Sequence, residues 1–146
     1  AEERGVSIEE INKIAVSDPT IDYAIDEKIR NVGQKENIVM DSRIAYHWLP
    51  ESFKVFLKLD LEVAAQRILH DIKERGRHMQ TSSSFEEIAE NTKERYENER
   101  KRYQKLYGID VADLSSFDLV IDTEKTPLPE VIATIIAKYK KWREEN

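Results

Sequence analysis

The chain reads as an α/β domain with a parallel sheet flanked by helices. Short apolar runs suited to strands occur at 37–41, 53–59 and 118–122. Longer stretches around them carry apolar residues at helical spacing. Strands separated by helices read as a parallel sheet covered on both faces.

The elements follow in order. Ser7-Ile8-Glu9-Glu10 is a capping box that opens a helix to about Val16, with Ile8, Ile11, Ile14 and Ala15 on its apolar side. Asp18 and Pro19 restart the chain as N-cap and first turn, and Gly33 ends the second helix. Ile21, Ile25, Ile29 and Val32 form its expected core stripe. Asp22 and Asp26 share a neighbouring face, where a solvated acidic cluster favoured by the helix dipole is the plainer expectation. Asn37–Asp41 is expected as a strand buried on both faces, ending in a carboxylate. Pro50 breaks the chain, Phe53–Leu59 is a second strand, and Leu61–Arg75 a helix.

Residues 74–84 combine Gly76 with three serines and a threonine, the composition of a mobile loop. Arg75 and Arg77 make it lid-like, although an ordinary exposed connection has the same composition. Ser84-Phe85-Glu86-Glu87 is a second capping box, opening a long charged helix. Asp118–Asp122 is the third strand. Pro127 and Pro129 start a final helix with Val131, Ile132, Ile135 and Ile136 inward.

Composition bounds the function. At 146 residues, 40% hydrophobic and 36% charged, the chain is long enough for one soluble domain with a core. A net charge of −6 argues against general nucleic-acid binding while permitting a local basic pocket. Without cysteine there is no disulfide framework, thiol chemistry or Cys-ligated metal. His47, His70 and His78 show no ligand spacing, so no metal-binding residues are expected. No apolar run reaches membrane-spanning length and no signal peptide is visible, which favours the cytoplasm.

The chemistry concentrates on the long helix. At about 100° per residue, Arg95, Glu99 and Arg102 fall on one face in line with Ile88 and Leu106. Phe85, Ala89, Tyr96, Tyr103 and Tyr107 form a packing stripe beside them. Two guanidiniums suit a phosphate, and the carboxylate between them suits a donor edge such as an amino group. The plainer alternative is a solvated helix laced by i,i+4 pairs worth about 0.2–0.5 kcal/mol each. Asp41 and Arg43 follow an expected strand, where ligands bind in open α/β sheets.

Four stretches together resemble the cytidylate kinases, in the archaeal-type branch of the P-loop nucleoside monophosphate kinases. They are ERGVSIEEINKIAVSDPTID, VMDSRIA, KLDLEVAAQRI and RYQKLYGIDVADLSSFDLVIDT. The last is the most specific. The resemblance implies phosphoryl transfer from ATP to CMP or dCMP, with Mg²⁺ on the donor phosphates and a monomeric enzyme. It implies no nucleic-acid or membrane partner. It implies that Asp41 and Arg43 serve the acceptor and metal region, with Ser42 where the family more often has Gly. Arg95 and Arg102 match acceptor-phosphate arginines and Glu99 a cytosine reader. Arg67, and with it Arg75 or Arg77, resembles lid arginines; Asp22 and Asp26 match an acceptor-side helical pattern. Residues 1–35 correspond to acceptor-binding helices within one NMP-kinase-like domain.

One departure stands out. The glycines lie at 5, 33, 76 and 108, and no G-x-x-x-x-G-K-[ST] run occurs in the 146 residues. The backbone N–H groups and lysine of such a loop grip ATP. The expectation is a kinase fold without its phosphate loop and the central strand before it, inactive as it stands, with the neighbouring strand edges exposed. The alternative is a catalytically inactive nucleotide-binding or protein-interaction fragment.

Overall fold

The computed structural model describes residues 5, 8–35, 37–75 and 84–146 and divides into two compact units. Ser7, Arg77 and most of the 74–84 loop lie outside the described residues, as does the side chain of Arg75.

The first unit comprises residues 1–52 and 98–113. It holds α1 (Ile8–Ser17), α2 (Thr20–Gly33), α3 (Ala45–Trp48) and the last turns of α5 (Phe85–Tyr107). α2 starts at Thr20 with Pro19 at its N-cap, one residue later than expected; the Asp18 carboxylate just before it accepts from the Thr20 backbone N–H at 3.0 Å and from the Thr20 hydroxyl at 2.6 Å. Gly108 closes α5 at φ 70, in the left-handed region where a Cβ is strained. Its N–H donates to the Gln104 carbonyl at 3.1 Å. Behind it Ile44, Tyr103 and Ile109 form a small core flanked by Tyr46, Tyr107 and Val111.

Expectations for α2 and for residues 37–41 fail in this unit. The buried stripe of α2 is not Ile21, Ile25, Ile29 and Val32. Ile21 and Ile29 are buried, but Ile25 and Val32 are exposed, and Asp22 and Asp26 take the inward positions. The stripe is turned by about one residue, 100°, because partners for both carboxylates lie on that side. Residues 37–41 form no strand, and Val39 is fully exposed. A strand needs a ladder neighbour to take its backbone groups, and no described residue pairs with this run. The one-turn α3 had no periodic signal in the sequence.

The second unit comprises residues 53–97 and 114–146. Its sheet has two parallel strands, β1 (Val55–Lys58) and β2 (Leu119–Asp122), in the register Val55–Leu119 to Lys58–Asp122. The parallel pairing is as expected, although the strands are shorter and fewer. The Asp118 carboxylate pins the entrance to the ladder by accepting from the Lys54 backbone N–H at 2.6 Å. At the exit, the Thr123 N–H and hydroxyl both donate to the Lys58 carbonyl, at 2.9 and 3.0 Å.

Helix α4 (Leu61–Arg75) has the limits expected of it, and α6 (Leu128–Glu145) begins at the expected prolines. The Ser84 side chain accepts from the Glu87 N–H at 3.2 Å, so the second capping box forms its N-cap bond. Ala65, Ile88, Ile121 and Val131 are the buried centre of this unit. Of the expected inward face of α6, Val131 is buried and Ile135 half-buried, whereas Ile132 and Ile136 are exposed. A two-stranded sheet is too narrow to cover a wider apolar face. No helix among the described residues is long and apolar enough to cross a membrane.

Candidate functional site

A cavity of about 350 Å³ lies within the first unit. Its apolar wall comes from α1 and α2, including Ile11, Ala15, Ile21 and Ile29. Its polar lining comes from three segments: Asp22, Asp26 and Lys28 of α2, Ser42 before α3, and Glu99 and Arg102 of α5. Helical spacing explains the grouping. Asp22 and Asp26 lie one turn apart, as do Glu99 and Arg102, so each pair projects to one side of its helix.

The charges are paired across the cavity. Arg102 Nε lies 2.8 Å from Asp22 Oδ2, with side-chain exposures of 12% and 5%. Both side chains are largely buried, so the two charges act on each other with little screening by water. Arg43 Nε lies 2.6 Å from Glu99 Oε2; Glu99 is buried to 12% exposure and Arg43 half-exposed. Burial pushes the Asp22 carboxyl above the usual aspartate range; the Arg102 guanidinium draws it back, and the like charge of Asp26 adds to the rise.

Asp26 is held differently. Trp48 Nε1–H donates to its Oδ1 at 3.1 Å, and the Tyr107 hydroxyl donates to its Oδ2. Trp48 and Tyr107 meet edge-to-face at 5.3 Å, and the Arg30 guanidinium sits 3.9 Å from the centre of the Trp48 ring. Burial and the bond to Asp26 drive the Tyr107 hydroxyl well above the usual tyrosine range, so it stays a donor at ordinary pH.

Among the residues anticipated from the sequence, Asp22, Asp26, Glu99 and Arg102 line the cavity, and Arg43 reaches it through Glu99. The solvated acidic cluster expected of Asp22 and Asp26 is replaced by two buried carboxylates at 4% and 3% exposure, because Arg102, Trp48 and Tyr107 supply partners. Asp41 is exposed and outside the lining. Arg67 and Arg95 belong to the second unit and are exposed there. Arg67 Nη2–H donates to the Thr123 carbonyl at 2.7 Å. Arg77 lies outside the described residues.

Sequence reasoning missed Trp48, and it read Tyr107 as packing alone. Trp48 sits in a four-residue helix, too short for a periodic pattern to betray it. The available signal was the pair of carboxylates beside the isoleucine stripe of α2, since buried charges require partners. The arrangement suits a ligand that carries an anion for the arginines and hydrogen-bond donors for the carboxylates. No group of three or more His, Cys, Asp or Glu among the described residues forms a metal cage.

Comparison with known proteins was consistent across the chain. Residues 4–125 match the cytidylate kinase-like family. The chain is 37% identical over 123 residues to the cytidylate kinase of Methanothrix thermoacetophila, covering 84% of this chain and 66% of that protein. It is 40% identical over 129 residues to the cytidylate kinase of Methanosarcina barkeri, covering 86% and 67%. A longer relative, the S-adenosylmethionine-dependent nucleotide dehydratase of Lacinutrix mariniflava, is 33% identical over 141 residues, covering 96% of this chain and 28% of that protein. The chain spans about two thirds of the length of the two cytidylate kinases. No solved structure matches it.

Proposed function

The chain belongs to the cytidylate kinase-like family, and on that premise we propose that its first unit is the acceptor site of a kinase that transfers the γ-phosphoryl of ATP to CMP or dCMP. The observation that carries this reading is the convergence of Asp22, Asp26, Glu99 and Arg102 on one cavity, with Arg43 paired to Glu99. Arg102 and Arg43 neutralise the acceptor phosphate. Glu99 accepts from the exocyclic amine of cytosine. Asp22 and Asp26 hold the arginine and aromatic partners that shape the cavity.

The acceptor phosphate is already a nucleophile, so the reaction needs no strong base. Orientation and charge neutralisation carry the rate. Mg²⁺ would arrive with the ATP phosphates; Asp41 is the carboxylate assigned to that region. Arg67 and Arg77 are assigned to the transferring group, where they would neutralise charge and exclude water. The reading implies a cytoplasmic monomer.

A second reading is a module that binds nucleotide or protein without transferring phosphate. One assay separates the two: ADP release by the purified protein from ATP and Mg²⁺, with and without CMP. CMP-dependent release supports the kinase, and Arg102→Ala is then expected to raise KM for CMP by about tenfold or more and to lower kcat. Unchanged kinetics in that variant would remove Arg102 from the acceptor site. CMP binding without turnover favours the module.

A further inference from the structure

Asp22 and Asp26 stand one turn apart on α2, both buried and both lining the cavity with Arg102, yet they are bound in opposite ways. Asp22 meets a cation: Arg102 Nε lies 2.8 Å from its Oδ2. Asp26 meets two neutral donors, one on each oxygen: Trp48 Nε1–H on Oδ1 at 3.1 Å and the Tyr107 hydroxyl on Oδ2. We propose that Trp48 and Tyr107 are positioning residues that hold the Asp26 carboxylate off Arg102, so that one carboxylate rather than two opposes the guanidinium that binds the acceptor phosphate. The proposal rests on the acceptor-site reading above and concerns how the charge of that site's arginine is set.

The physical reasoning is a count of charge. One guanidinium against one carboxylate is a neutral pair that still accepts a phosphate; against two carboxylates it is a net negative group that repels one. Residues four apart on a helix carry their Cβ atoms about 5–6 Å apart, so a carboxylate released at position 26 lies near the cation paired at position 22. Asp26 is 3% exposed, so water is slow to replace a lost donor and a positive charge draws the carboxylate instead. The charge at position 26 is already felt at the pair: burial raises the Asp22 carboxyl, Arg102 lowers it, and Asp26 raises it again. The two donors are themselves fixed in place. The Arg30 guanidinium sits 3.9 Å from the centre of the Trp48 ring, whose edge-to-face contact with Tyr107 spans 5.3 Å. Tyr107 also stacks with Tyr103 and meets Tyr23 edge-on, each at 6.4 Å.

The consequence is a rescue that packing alone does not produce. Removing a donor from Asp26 should weaken phosphate binding at Arg102, and removing the charge of Asp26 as well should restore it. The test is titration calorimetry of CMP into the purified protein, Tyr107→Phe, Asp26→Asn and the double variant, with thermal unfolding to verify that each is folded. Tyr107→Phe is expected to weaken CMP by about fivefold or more. In the Asp26→Asn background the same substitution is expected to change CMP affinity by less than about twofold, because an amide carries no charge to draw Arg102. Trp48→Phe, read in the same two backgrounds, decides the matter if Tyr107→Phe does not fold. Equal weakening of CMP in both backgrounds would mean that the aromatic side chain only packs, and it overturns the proposal. So does an unchanged CMP affinity in the single variant. In either case CMP binding by the unmodified protein leaves the acceptor-site reading standing. If the unmodified protein does not bind CMP, the acceptor-site reading and the positioning role fall together.

Discussion

Replacing Arg102 by Met tests the electrostatics of the pocket most sharply. The substitution keeps an unbranched apolar stem of comparable reach and removes only the guanidinium. Asp22, at 5% side-chain exposure, then loses its countercharge and retains the like charge of Asp26 nearby. Breaking a buried ion pair in this way ordinarily costs about 3–5 kcal/mol. The carboxylate has an escape, which is to bind a proton. Measured from an ordinary aspartate at about 3.9, protonation costs about 4 kcal/mol at pH 7 and about 1.5 kcal/mol at pH 5. Burial already pushes Asp22 in that direction. The raised folded-state pKa places the sign: stability relative to the unmodified protein is regained as pH falls toward 3.9 and lost as pH rises. Arg102→Met should therefore destabilise by about 4 kcal/mol at pH 7 and by no more than about 2 kcal/mol at pH 5. Urea unfolding at the two pH values measures both numbers by linear extrapolation. Equal destabilisation at pH 5 and pH 7, or a loss below about 1 kcal/mol at pH 7, would mean that Asp22 is not a buried charge balanced by Arg102.

Two further substitutions probe the support of the pocket. Tyr107→Phe removes one donor to the buried Asp26 while keeping the edge-to-face contact with Trp48; it should cost about 1.5–3 kcal/mol in urea unfolding, and a change below about 0.5 kcal/mol would show that the hydroxyl bond contributes little. A Cβ at Gly33 would collide with the Leu49 side chain. Gly33→Ala should therefore lower the unfolding midpoint despite its better helix propensity, and combining it with Leu49→Ala should lower stability by less than the sum of the single changes; strict additivity would refute the contact.

Much of the architecture was legible because it rests on local signals. The limits of α4 followed from its apolar spacing, and α5 began at its capping box. Parallel pairing of β1 and β2 followed from the intervening helices. The orientation of α2 was not legible. Ile25 and Asp22 compete for the inward side, and hydrophobicity alone favours the isoleucine. The outcome turns on Arg102, Trp48 and Tyr107, whose proximity is a property of the fold. The run at 37–41 misled for a related reason: β-propensity does not create a ladder partner. In the site, the inward placement of Glu99 and Arg102 was readable from helical phase. Their pairing with Arg43 and Asp22 was not, since it joins segments more than 50 residues apart in sequence.

The most direct test of the acceptor-site claim is calorimetric titration of CMP, UMP and AMP into the purified protein and into Glu99→Ala. The account predicts that CMP binds most tightly to the unmodified protein. It further predicts that Glu99→Ala weakens CMP by about tenfold or more while UMP, which lacks the exocyclic amine, changes far less. If CMP shows no preference over UMP and AMP, or if the substitution weakens CMP and UMP alike, Glu99 does not read cytosine and the cavity is not a cytidylate site.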